Sequence, residues 1–312
     1  MKTKTCALTI AIALFASWTH AQQPIAKKPA TKAVDSKKAK SEPAAELAPL
    51  QPLALPPPPP FSPVSYKEGA PLTDYLSNEP QKVYEWLQGH MTSVPGKPDQ
   101  YSSSDERQKY EAAVRERMSA IGQLPIPSMC AKKYDGDAQT FEIKVLLNSF
   151  KDIMLKNPNP ESLRLRRMLV GRANLTHDTY KAQNAYGASI DVSRTSSDDY
   201  TFSFPAGSEP PGVIVADNSA TSITLPYRYT FNFLVLSVKM PPADARDLDK
   251  QIACLSVVSL EPPYVFKFSE RDTPTRDLPR ETTVNGFSMF GTLDKFMVFN
   301  KSTGEVYAQA VR

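Results

Sequence analysis

From Cys130 onward the apolar residues of this chain fall on every second position, and that period limits the fold more than any other feature. In "TFEIKVLL", Phe141, Ile143, Val145 and Leu147 alternate with Glu142 and Lys144. "YTFSF" places Tyr200, Phe202 and Phe204 against Thr201 and Ser203, and "YVFKFS" repeats the pattern with Tyr264, Phe266 and Phe268. Successive side chains of a strand point to opposite faces, so each run reads as a strand with one face buried. "TFNFLVLSVKM" is apolar at both parities and suits a central strand. "DKFMVFNKSTGEVYAQAV" reads as a closing hairpin turned by Lys301 to Gly304.

Helical spacing precedes the strands. "EPQKVYEWLQGHM" sets Val83, Trp86 and Leu87 on one side. In "SSSDERQKYEAAVRERMSAIGQLPIP", Ser103 and Glu106 have capping-box spacing, and Tyr110, Ala113, Val114, Met118 and Ile121 recur at helical intervals. Pro241-Pro242 opens a short proline-first helix. "NPNPESLRLRRMLVGRANL" opens like a helix, with Asn159 as cap and Pro160 first, although its apolar residues also fit a strand. The spacing favours a helix of about three turns. The expected fold class is therefore α+β: N-terminal helices, then a mostly antiparallel sheet with one or two inserted helices. The "PAGSEPPG" stretch at 205–212 marks where such a body could divide into two lobes.

The first 65 residues differ from this body. Lys2 and Lys4 precede an apolar run from Ala7 to Trp18, too short for the ~20 residues that cross a bilayer core. Thr19-His20-Ala21 then supplies small residues at the positions a signal peptidase reads. The expectation is a signal peptide over 1–21, cleaved before Gln22, and no stable transmembrane segment afterwards. Cys6 stands before the apolar core, whereas a lipidated cysteine stands after it. Residues 22–65 are Ala, Lys and Pro, with too little apolar surface to offset the entropy of ordering, and read as a disordered linker. Pro56 to Pro60 should be stiff, as polyproline II. The globular part is 66–312.

Charge narrows the function. The chain has 37 Lys+Arg against 33 Asp+Glu. Lys2 and Lys4 leave with the leader. The linker holds six lysines against Asp35, Glu42 and Glu46, so the body that remains carries −1. A domain that neutralises phosphates needs a positive excess, so no nucleic-acid partner is expected. The glycines are too scattered for a phosphate loop or dinucleotide fingerprint, and no cofactor is expected.

Candidate chemistry is sparse. Cys130 and Cys254 are the cysteines left after cleavage, and in an oxidising compartment they are expected to form a disulfide. Without a CxxC, and with His90 and His177 far apart in sequence, no metal site is expected. His177 is the one candidate catalytic residue, with Asp178 as orienter and Ser189 or Ser193 as nucleophile, although no G-x-S-x-G surrounds either. Asp135/Asp137 and Asp198/Asp199 are paired carboxylates, more often turn residues than acid-base or calcium sites. Arg164, Arg166, Arg167 and Arg172 cluster. On a helix Arg164 and Arg167 would share a side and could hold an anionic ligand. In a secreted eukaryotic protein Asn174 and Asn300 would be glycan acceptors.

These readings lead to an exported protein, periplasmic or secreted, most simply a non-catalytic interaction or assembly module. Its expected partner is another envelope protein or a cell-wall polymer. The alternatives are a periplasmic hydrolase acting on glycan or peptide, and a small-ligand carrier with a pocket inside the sheet.

Overall fold

A computed structural model describes residues 60–148, 165–183, 187–211, 214–218 and 231–312. They lie in one compact unit, Pro58–Arg312. The expected α+β class is overturned. The described chain is mostly strand: β1 Gln123–Ser128, β2 Ala131–Asp135, β3 Thr140–Asn148, β4 Leu165–Gln183, β5 Ser189–Pro205, β6 Ile214–Asn218, β7 Phe231–Lys239, β8 Ile252–Asp272, β9 Arg280–Asn300 and β10 Val306–Val311. Helix is limited to α1 Pro80–Thr92, α2 Ser104–Ser119, α3 Pro242–Leu248 and a 3-10 turn at Leu72–Ser77, all in the interior of the chain.

The strands form one ten-stranded mixed sheet in the order β1-β8-β9-β5-β4-β3-β7-β6, with β10 added to β9 and β2 to β3. Most neighbours are antiparallel, but β5 and β9 pair in parallel from Ser193↔Arg280 to Ser203↔Phe290. Parallel neighbours need a long connection, and a local reading of residues does not reveal one. The helix expected from Pro160 is also corrected. Residues 149–164 lie outside the described residues, and from Leu165 the chain is β4, laddered to β5. Helical spacing of the arginines was a weaker constraint than that ladder.

Four strands, β4, β5, β8 and β9, run 17–21 residues. Their inner halves bury the main core. Phe202, Phe204, Val258, Met289, Leu293, Phe296 and Val298 meet Ile143, Val145 and Leu147 of β3. The sheet wraps far enough that the Ser256 hydroxyl of β8 reaches the Met168 sulfur of β4 at 3.7 Å.

Helices α1 and α2 close this core with Val83, Tyr84 and Leu87, and with Val114 and Met118. Burial of Leu87 is worth about 1.5–3 kcal/mol, and Leu87→Ala costs about 2–5 kcal/mol. α2 starts at a complete capping box, with the Ser103 side chain accepting from Glu106 N–H and the Glu106 carboxylate accepting from Ser103 N–H. On the other side of β8 and β9, Leu72 and Tyr75 pack with Leu255, Val257, Met297 and Phe299.

The entry segment is pinned by fully buried Asn78. Its amide donates to the carbonyls of Val64 at 2.9 Å and Pro125 at 2.8 Å, and its oxygen accepts from Val64 N–H. Cys130 and Cys254 form the expected disulfide, which ties the β1–β2 connection to β8. Among the described residues no helix is long and apolar enough to cross a membrane.

Candidate functional site

Past the core, the outer halves of the four long strands continue as a sheet whose side chains are mostly exposed or half-buried, with Val192, Ser197, Asp199 and Glu281 buried among them. This arm has the order β8-β9-β5-β4 and is built from β8 264–272, β9 280–289, β5 189–200 and β4 171–183. Its root is aromatic. Tyr200 stacks on Phe287 with centroids 5.1 Å apart, and Tyr84 of α1 meets both edge-on. Burial, with Tyr200 adding to it, pushes the Tyr84 hydroxyl up to about 12. Lys267 sits 5.4 Å above the Phe287 ring.

Beyond the root the two faces carry separate polar networks. On the α1 side, Asp198 accepts from the amides of Asn174 at 2.6 Å and Asn285 at 2.9 Å. Further out, Arg194 donates to Asp178 at 2.9 Å, and Tyr180 and Arg271 both donate to Glu281, at 2.8 and 2.7 Å. The Arg194 bond holds Asp178 below the usual carboxylate range. Glu281 is held low by the Tyr180 hydroxyl and then by Arg271.

On the opposite face Arg172 grips Asp199 with two bonds of 2.7 Å, and the Ser197 hydroxyl adds a third at 2.8 Å. Nearer the core, the Ser288 hydroxyl bonds those of Thr201 and Ser203. Arg167, almost fully buried, lies 4.0 Å from the Phe268 ring centroid and pairs with Glu270. Its pKa is lowered by burial.

The sequence candidates can now be placed. His177 is exposed on β4 with Nδ1 3.1 Å from the Thr195 hydroxyl. Asp178, its neighbour in sequence, projects to the other face and belongs to Arg194. It therefore does not orient the imidazole. Ser193 lies opposite Thr179 and Ser189 opposite Gln183, on an open sheet surface.

Arg167 is a strand residue, so the shared helical side proposed for Arg164 and Arg167 does not exist; Arg164 lies outside the described residues. Arg166, Arg167 and Arg172 go to Glu209, Glu270 and Asp199 respectively, so the cluster is dispersed over three carboxylates. Asp135 accepts from the N–H groups of Asp137 and Ala138, as a turn residue does. Asp198 and Asp199 project to opposite faces. His90 stacks on Trp86 at 4.6 Å and is held low by burial and by Arg117. Among the described residues no group of three or more His, Cys, Asp or Glu could hold a metal. Clefts among the described residues include one between α1 and α2 at His90, Val94 and Arg117, and one beside α3 at Tyr134, Phe141 and Ala245.

The arm's side chains largely satisfy one another. Its backbone edges are different. β4 pairs with β3 only at Leu147↔Met168 and Asn148↔Arg167, so from Leu169 to Gln183 its outer edge has no strand partner among the described residues. β8 is paired with β1 only up to Ser259, and its outer edge past that point has none either. Residues 172–183 of β4 contain no proline and are mostly exposed, and Leu175 is 50% exposed. Natural edges are usually blunted by proline, by inward charges, by bulges or by brevity. β4 breaks register with β5 at 169–171 and 173–176 but is regular from Thr176 to Gln183. This one is long. Of the charged residues of the arm, Arg194, Arg271 and Glu281 were not singled out from sequence, and Asp199 was read only as a turn carboxylate. The signal that could have found them is the run of Ser, Thr and charged residues at both parities over 191–199 and 280–285.

No family model, no curated protein and no solved structure matches this chain.

Proposed function

We propose that this chain is an exported envelope protein whose folded part is a non-catalytic interaction module, and that it binds by adding a strand to the outer edge of β4. The observation that carries this reading is the outer β4 edge itself: residues 172–183, mostly exposed and free of proline, on a sheet whose side chains are engaged with one another. Strand addition takes its affinity from main-chain hydrogen bonds and its specificity from alternate side chains. The Cys130–Cys254 disulfide fits an oxidising compartment, and with the leader at 1–21 it supports export to the periplasm. The linker then serves as a spacer.

The test is site-specific photo-cross-linking in intact envelopes. A photoreactive residue replaces Thr179 on the edge or, as control, Tyr101, which is exposed on the loop before α2. A discrete adduct at 179 and none at 101, surviving deletion of residues 22–63, is the expected result. Equal labelling at both positions, or an adduct lost with the tail, contradicts it.

A further inference from the structure

Among the described residues the arm has two open edges, and their charges are complementary. β4 is antiparallel to β5, β5 is parallel to β9, and β9 is antiparallel to β8. The edges β4 and β8 therefore run in the same direction. A second copy placed alongside with the same orientation would present its β8 edge to β4 as a parallel pair.

One register satisfies both faces of that pair. Asp178 and Lys181 are three residues apart on β4, and Lys267 and Glu270 are three apart on β8. Setting Asp178 opposite Lys267 thus sets Lys181 opposite Glu270. The faces agree as well. Asp178 shares a side with Arg194, Glu281 and Arg271, and so with Lys267, four residues before Arg271 on a strand without a register break between them. Lys181 and Glu270 share the other side, with His177 and Arg167. The same register puts Gln183 against Asp272. No like charges meet, whereas like charges directly opposite destabilise a strand pair.

We infer that copies of this chain assemble head to tail, the β4 edge of one arm pairing in parallel with the β8 edge of the next in this register. The inference rests on the strand-addition reading and names its occupant. Because the contact joins two different surfaces, it does not close as a dimer but builds rings or filaments.

The test uses the full chain purified from envelopes, as two variants, Gln183→Cys and Asp272→Cys. Within one copy Asp272 is level with His177, so the two positions lie three strand spacings and six residues apart, about 24 Å. A bis-maleimide shorter than that therefore joins them only between copies. Circular dichroism shows that each exposed-site variant is folded. The expected result is a covalent dimer in the mixture and none in either variant alone, with a ladder of larger species when one chain carries both cysteines. Lys181→Glu in the mixture lowers the dimer yield about two- to fivefold, the value of one exposed ion pair.

A dimer from Gln183→Cys alone means a two-fold β4–β4 contact and overturns the inference. No dimer in the mixture, with photo-cross-linking at 179 capturing a different envelope protein, overturns it while leaving strand addition standing. No capture by either method removes both.

Discussion

The disulfide between Cys130 and Cys254 offers a prediction that can be worked through in numbers. It closes a loop with a sequence separation of 124 residues. In the chain-entropy description the lost freedom of the unfolded chain grows with the logarithm of loop length, which for this loop amounts to about 5 kcal/mol at 25 °C. Position adds a local consequence. Ser128 is the register partner of Cys254, and Cys130 follows two residues later, so the bridge holds β1 and the start of β2 onto β8, the strand that continues into the arm.

The perturbation is reduction of the wild type, which keeps both sulfur atoms in the core and removes only the cross-link. At about 2–4 °C per kcal/mol for a domain of this size, Tm should fall by about 10–20 °C. Urea unfolding should show the midpoint moving down. Cys130→Ala with Cys254→Ala should lose slightly more, because Cys254 is buried and truncation leaves a cavity. A reduced protein within about 1 kcal/mol of the oxidised one would refute the reasoning, since the loop would then not be a major restraint on the unfolded chain.

The further predictions concern the sheet. A Cβ on Gly291 would stand 2.0 Å from the Ser259 carbonyl oxygen, where β8 breaks register after Leu260, so Gly291→Ala should cost about 3 kcal/mol. A Cβ on Gly286 meets the Phe268 ring at the same distance, but the ring can swing away from Arg167, and Gly286→Ala should cost about half as much by urea titration.

Arg172→Met leaves the Asp199 carboxylate, whose side chain is 6% exposed, with only Ser197 as a donor in the arm network. It should cost about 2 kcal/mol, largely recovered by adding Asp199→Asn in a double-mutant cycle. The arm should also loosen in acid. Asp178 and Glu281 both have depressed values in the folded chain. Their stabilisation is therefore complete above the ordinary carboxylate value near 4, and it is lost as pH falls through the folded values. Faster amide exchange over 176–194 below about pH 4, blunted by Glu281→Gln, is the expected readout.

What the sequence makes legible here follows burial. Phe141 to Leu147 alternates because one face enters the core. Tyr200 to Phe204, by contrast, is buried at both parities, Thr201 and Ser203 included. In Tyr264 to Phe268 it is Tyr264 and Val265 that are buried, while Phe266 and Phe268 are half-buried, so those two runs mark strands without marking one buried face. The Ser103–Glu106 box is visible because both partners lie within one helical turn. The outer half of β4 is the opposite case. Arg172 to Gln183 meets solvent on both faces, so no apolar period marks it, and its strand state is imposed by β5 across the ladder. The parallel pairing of β5 with β9 joins residues more than eighty positions apart and leaves no local trace. The same gap explains the candidate residues. Arg166, Arg167 and Arg172 look like an anion cluster until their carboxylates, Glu209, Glu270 and Asp199, arrive from elsewhere in the chain. His177 and Asp178 look like partners until the strand turns them to opposite faces.

The most direct test of the open β4 edge is amide hydrogen exchange over residues 172–183, measured on the purified chain across a dilution series. The account predicts that the alternate amides of this segment that point away from β5 exchange fast in dilute solution and become protected as concentration rises, together with those of 265–272 that point away from β9 and with no matching change in α2. Protection of those outward amides that is already high at the greatest dilution and does not vary would mean that the edge is covered within a single copy, and would contradict the account.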